Sequence, residues 1–197
     1  MGKIVCLMGK SSSGKDSIYK RMLGAESFDF HTIVPYTTRP IRIKERDGVE
    51  YHFTDEEGFR KLEASGKVIE VRTYDTIHGP WRYFTVDDGN IRPEEHNYLL
   101  VTTPAGYLAM KQYFGEDNLI PILVDVDDGI RLERALRRER KQQVPKYEEM
   151  CRRFLTDTED FSDENLRKAG IRKKFCNDEN IEDCLREILE YLRQITE

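Results

Sequence analysis

"GKSSSGKDS", residues 9–17, is the stretch on which the fold turns. It meets the phosphate-loop pattern G-x-x-x-x-G-K-[ST] at Gly9, Gly14 and Lys15, then places Asp16 where a small hydroxyl is expected. A tight glycine-rich turn binds anions through its backbone. Successive N–H groups form a concave site, and the N-terminus of the following helix reinforces it. Gly9, Lys10, Ser11, Ser12, Ser13, Gly14, Lys15, Asp16 and Ser17 are therefore the expected contacts to a nucleotide triphosphate, with Lys15 set against its β and γ phosphates. The competing reading is a serine-rich surface turn. Flanking pattern favours the loop: Ile4-Val5-Cys6-Leu7-Met8 reads as a buried parallel strand. Asp16 to Leu23 reads as a helix with Ile18, Met22 and Leu23 inward, ended by Gly24.

The chain of 197 residues is long enough for one α/β domain with a full core and a small inserted lobe. Its formal charge of −5 argues against a nucleic-acid polymer as partner, because phosphate neutralisation needs a basic footprint. Cys6, Cys151, Cys176 and Cys184 show no C-x-x-C spacing, so reduced thiols and a cytoplasmic protein are expected. The apolar start, Met1 to Met8, is too short for a signal peptide or a membrane span, and no membrane association is expected. Either a monomer or a homodimer fits.

Further parallel-type strands are expected at residues 98–101 and 119–124, each followed by a helical pattern. Residues 35–87 differ, being rich in Tyr, Thr, Val and Phe. There "DGVEYHF" and "GKVIEVRTY" read as strands and "TDEEGFRKLEASG" as a short helix between them. Gly129 to Lys141 reads as a helix with Leu132, Ala135 and Leu136 inward. A C-terminal helix carries the apolar stripe Ile181, Leu185, Ile188, Leu189, Leu192 and Ile195. The fold class is α/β: a P-loop NTPase-type parallel sheet flanked by helices, with an inserted mainly-β nucleotide-binding lobe at 35–87. Residues 1–34 and 88–197 form the core, which includes a helical lid at about 129–160.

A second constellation is "YTTRPIRIKERDGVEYHF", residues 36–53. Arg39 and Arg42 flank Pro40, which favours extended or turn backbone, and two guanidinium forks suit a phosphate monoester. Tyr51 would add a phenolic hydrogen bond. Taken alone, a solvated basic turn competes with this reading.

"TTRPIR", Glu45, Asp47-Gly48 and "EYHF", followed by "GKVIE" and "HGPWRYFT", resemble the GMP-binding lobe of guanylate kinases. The resemblance runs from the loop to "NDENIED" and implies transfer of the γ-phosphoryl of ATP to GMP, with Mg2+ bound alongside ATP. By position, Arg39, Arg42, Tyr51 and Tyr83 would hold the GMP phosphate, and Glu45 completes the arginine motif. Glu70 would read the base, since one carboxylate accepts both guanine N1–H and the exocyclic amino group, whereas adenine N1 presents a lone pair. An exposed strand carboxylate is the alternative for Glu70. Thr85 would lie near guanine O6. Arg134, Arg138 and Arg153 match the lid arginines, which with Lys15 and Arg39 would stabilise the moving phosphoryl group. Arg131, Arg137 and Arg152 read as solvated partners of nearby acids, and Asn177 matches a residue near the adenine of ATP.

Departures from the family pattern are Tyr36 before T-T-R, Val101 and Thr103 in place of aspartates, and Asp16 itself. They are consistent with a metal-side carboxylate relocated to Asp16, with Thr103 as a neutral hydroxyl opposite, close to the GMP side. A helix N-terminal role for Asp16 competes. Two other functions stay open: a related kinase whose acceptor is a deoxynucleotide or a sugar phosphate, and a guanylate-kinase-like module that grips a phosphopeptide.

Overall fold

The side chains of β1, Ile4–Met8, divide between two cores. Ile4, Cys6 and Met8 pack into one cluster, while Val5 and Leu7 pack into the other. A strand buried on both faces must be apolar throughout, which is why its sequence does not alternate. The computed structural model describes residues 2–43, 45–76 and 79–196. After β1 come α1 (Lys15–Leu23), β2 (Phe30–Thr32), β3 (Tyr36–Thr37), β4 (His52–Phe53) and α2 (Glu56–Ala64). The hairpin of β5 (Val68–Thr76) and β6 (Gly79–Val86) follows, then β7 (Asn97–Val101), α3 (Pro104–Phe114) and β8 (Leu119–Asp125). The chain ends with α4 (Asp128–Arg140), α5 (Tyr147–Asp160), α6 (Asp163–Ala169), β9 (Lys174–Cys176) and α7 (Ile181–Thr196). His78, which opens the quoted "HGPWRYFT", lies outside the described residues.

Among the described residues the strands form two sheets. The larger has the order β2-β7-β1-β8-β9 and every pairing in it is parallel. Ile18 and Met22 of α1 join Cys184, Ile188 and Leu192 of α7 on one face. Tyr107 and Met110 of α3 join Leu166 and Ala169 of α6 on the other. The second sheet has the order β4-β3-β6-β5 and closes over a small core of Phe59, Phe84 and Val86. Asp55 caps α2 by accepting from the Gly58 N–H.

Three expectations need correction. Only His52 and Phe53 of "DGVEYHF" form a strand; the rest is a turn, with Asp47 Oδ1 accepting from the Phe53 N–H at 2.7 Å. The inward face of α4 is Arg131, Ala135 and Glu139, while Leu132 is 42% exposed. On α7, Cys184 joins the buried stripe and Ile195 in the last turn stays exposed. All four cysteines are free thiols, as expected. Burial pushes the Cys184 thiol up to about 12.

Candidate active site

A cleft of about 640 Å³ opens at the carboxyl ends of β1 and β7, where ligands of open parallel sheets are bound. Gly9, Ser11, Lys15 and Asp16 line one wall; Arg39, Arg42, Glu45, Tyr51 and Tyr83 line another. Glu149, Arg152, Arg153 and Asp157 of α5 border it as well.

The loop has the geometry its sequence requires. Gly14 caps α1 at φ 88°, a left-handed conformation that favours glycine, and a Cβ there would run into Asn177 Nδ2. Asn177 is buried, and its amide donates to the Ser13 carbonyl at 2.8 Å. It therefore braces the loop from behind and does not line the cleft. Ser12 is held at φ 65°, a strained position for a side chain with a Cβ. Among the described residues, the buried Ser12 and Ser13 hydroxyls have no hydrogen-bond partner. Ser17 is exposed and Lys10 pairs with Asp128 at 3.1 Å; neither lines the cleft. Asp16 is exposed in the first turn of α1, its carboxylate 3.5 Å from Lys15 Nζ.

Of the three arginines read as solvated partners, Arg152 lines the cleft, and the one placed furthest wrong is Arg131. It is 1% exposed, not solvated. Its guanidinium donates to Asp128 Oδ1 (2.9 and 2.7 Å) and to the Ser11 carbonyl (3.1 Å), and it lies over the Phe154 ring. The Ser11 N–H in turn donates to Asp157 Oδ2 at 2.7 Å. The phosphate loop is thus clamped by α4 and α5 together. Arg137 is a solvated partner of Glu133, as expected.

On the other wall, Arg39 is buried and fork-paired with Glu45 at 2.8 and 2.6 Å, with Tyr51 and Phe53 rings against it. Burial works against the charge of Arg42, and the nearby Arg39 and Arg153 guanidinium groups lower its pKa further. Among the described residues Arg42 makes no ion pair, which leaves it the unneutralised cation beside the Arg39–Glu45 and Arg153–Glu149 pairs. Burial raises the Tyr51 and Tyr83 phenols, which keeps both protonated as donors.

The arginines expected on a lid divide. Arg153 and Arg152 line the cleft and share Glu149, at 2.9 Å and 2.8 Å. The hydrogen bond from Arg152 is the main cause that holds the Glu149 carboxyl at about 2. Arg134 donates to the Asn177 and Asp178 carbonyls, and Arg138 is half exposed beside Glu139; neither lines the cleft.

Strand periodicity builds the third wall. Glu70, Arg72 and Tyr74 alternate onto one face of β5, opposite Thr85, Tyr83 and Trp81 of β6. Glu70 Oε1 accepts from Thr85 Oγ1 at 2.8 Å, and Arg72 holds both Glu70 oxygens at 2.9 and 3.1 Å. Arg72, which sequence reasoning passed over, lines the cleft; Glu70 and Thr85 lie behind it. Burial opposes the Arg72 charge, but the Glu70 carboxylate outweighs it and raises the pKa. Thr103 caps α3 by accepting from the Gly106 N–H. The adjacent Thr102 hydroxyl is buried without a partner among the described residues. Thr103 also lines the cleft, and its oxygen accepts from its own helix while its O–H stays available to donate.

No group of three or more His, Cys, Asp or Glu among the described residues is arranged to hold a metal. A single exposed carboxylate at the loop suits magnesium held mainly by phosphate oxygens and water, the usual arrangement for that ion. Among the described residues no helix is long and apolar enough to cross a membrane.

Known proteins resemble this chain in sequence and in fold. The guanylate kinase family model matches residues 1–79. The guanylate kinase of Salinibacter ruber is 36% identical over 118 residues, covering 59% of this chain and 61% of that protein. That of Caldanaerobacter subterraneus is 27% identical over 162 residues, 82% of this chain and 74% of that protein. The match thus spans about three fifths of the first relative's length, at 61%. A crystal structure of guanylate kinase from Anaplasma phagocytophilum shares the fold with a TM-score of 0.64 at 22% identity, over 98% of this chain and 85% of that one. The N-terminal part of the chain is thus similar in sequence to guanylate kinases, and nearly its whole length shares the fold of one.

Proposed function

We propose that this chain is an ATP:GMP phosphotransferase. The observation that carries the reading is that two cationic groups line one cleft: Lys15 with its loop, and Arg39 with Arg42, Tyr51 and Tyr83. Two phosphate sites in one cleft call for in-line transfer. An oxygen of the GMP phosphate attacks the γ-phosphorus of ATP, the bond from that phosphorus to the β-γ bridging oxygen breaks, and ADP leaves with the electron pair. No covalent enzyme intermediate is required. Charge spreads over the transferring oxygens, so the protein's task is positioning and electrostatic stabilisation. Lys15 and the cleft-lining Arg152 and Arg153 supply positive charge from two sides, while Glu45 holds the Arg39 fork in a fixed plane. Bound magnesium would neutralise the β and γ oxygens, with Asp16 as the carboxylate that approaches it. Arg134, Arg138 and Asn177 act at a distance in this reading, bracing α4 and the loop. Such an enzyme works in the cytoplasm, where both nucleotides are found.

The experiment is an acceptor panel of GMP, dGMP, AMP and UMP with ATP, with and without magnesium, and ADP and diphosphate products separated by chromatography. GDP formation that needs ATP and magnesium is the expected result. Turnover of another acceptor but not GMP would replace the acceptor, and ATP binding without any turnover would favour a binding module.

A further inference from the structure

The base end of the cleft does not present the carboxylate that the family pattern implies. Both Glu70 oxygens are taken by Arg72, one of them also by Thr85, and Glu70 is only 8% exposed. Gly106 leaves the room: a Cβ there would stand 3.7 Å from Arg72 Cζ, 3.6 Å from Glu70 Oε2 and collide with Thr102 Oγ1. The pair is thus packed beneath the first turn of α3. Arg72 spends its Nε–H and one Nη2–H on Glu70, and Nη1 stands 3.4 Å from Thr103 Oγ1, a long contact. The outer edge of the guanidinium, with N–H groups of Nη1 and Nη2 side by side, remains as a donor fork on a cleft-lining residue.

We infer that Arg72 is the residue of this chain that reads the acceptor base, donating its outer fork to guanine O6 and N7, with Glu70 as the positioning residue that fixes the guanidinium plane. This inference rests on the proposed GMP reading and specifies its recognition. Two adjacent acceptors match two adjacent donors, a pairing that distinguishes guanine from adenine, which carries an amino donor at position 6. A buried fork left facing a donor is strongly disfavoured, so discrimination follows from the geometry. Recognition thereby moves from the N1/N2 edge of guanine to its O6/N7 edge.

The test uses the unmodified protein and two analogues. IMP keeps O6 and N7 but lacks the 2-amino group; 7-deaza-GMP keeps the 2-amino group but lacks the N7 acceptor. Steady-state kcat/KM with saturating ATP is expected to be within about threefold of GMP for IMP and about 10- to 100-fold lower for 7-deaza-GMP. An Arg72→Gln variant is expected to narrow the gap between GMP and 7-deaza-GMP, but the decision does not depend on that variant folding. If IMP is as poor as 7-deaza-GMP or poorer, the carboxylate reads the base and the inference is overturned. Absence of GMP turnover would overturn the acceptor reading and this inference with it, whereas brisk GMP turnover indifferent to N7 overturns this inference alone.

Discussion

The Asp157 carboxylate accepts a hydrogen bond from the Ser11 backbone N–H at 2.7 Å, so a residue of α5 rests on an amide of the phosphate loop. The Arg131 guanidinium lies 3.6 Å from the same oxygen and donates to the Ser11 carbonyl. An anionic side chain on a loop built to bind anions competes with a triphosphate for the same donor. Removing it by Asp157→Ala is expected to tighten ATP binding by about three- to tenfold, the scale of one modest hydrogen bond. Isothermal titration reads this directly, and weaker binding by the variant would show that Asp157 supports the loop rather than competing for it.

Arg131 and Arg137 are six residues apart on α4, yet their substitution is expected to differ sharply. Arg131→Ala removes a buried guanidinium and its contact with Phe154, and leaves Asp157 without that cation. A loss of about 3 kcal/mol follows from breaking a buried ionic cluster. Arg137→Ala touches only an exposed pair and should change stability by less than about 0.5 kcal/mol. Urea denaturation of both variants checks the contrast.

The acid stability of α5 has a predictable direction. Glu149 is held at about 2, below its ordinary 4.5, by hydrogen bonds from Arg152 and Arg153. A depressed folded-state value means that the stabilisation is complete above the ordinary value and is lost as pH falls from about 4.5 towards about 2. Glu149→Gln is expected to lower the urea midpoint near neutrality and to flatten its fall across that acidic window. Parallel pH titrations of the two midpoints would show a common slope if the pair contributes nothing.

Asp16 provides a test of the metal side. Its carboxylate is 81% exposed and its one ion pair among the described residues is with Lys15, so Asp16→Ser should leave the fold intact. The magnesium concentration for half-maximal turnover is expected to shift by several-fold. An unchanged magnesium titration with unchanged turnover would assign Asp16 to the helix N-terminus alone.

Much of this was legible because backbone chemistry is local. The loop needs glycine at position 14 and an apolar strand before it, and both show in the sequence and hold in the fold. What stayed hidden depends on tertiary pairing. The apolar residues of α4 pointed to Leu132, but a guanidinium with acids, a carbonyl and a ring around it is buried in preference, which rotates the inward face to Arg131. Asn177 reads as a polar site residue, yet parallel pairing of β9 beside β8 sets it behind the loop. Period-two alternation placed Arg72 on the same face as Glu70 from the start. Its pairing with that carboxylate, two residues away on one strand, was the signal available to find it.

Transfer of the γ-phosphoryl from ATP to GMP within one cleft is reached directly by one measurement. With ATP labelled at the γ-phosphoryl, the label is expected in GDP at one equivalent per ADP formed, and Lys15→Ala should lower that rate by about a hundredfold or more. Label appearing only as inorganic phosphate, or ATP left unconsumed beside GMP, would contradict it.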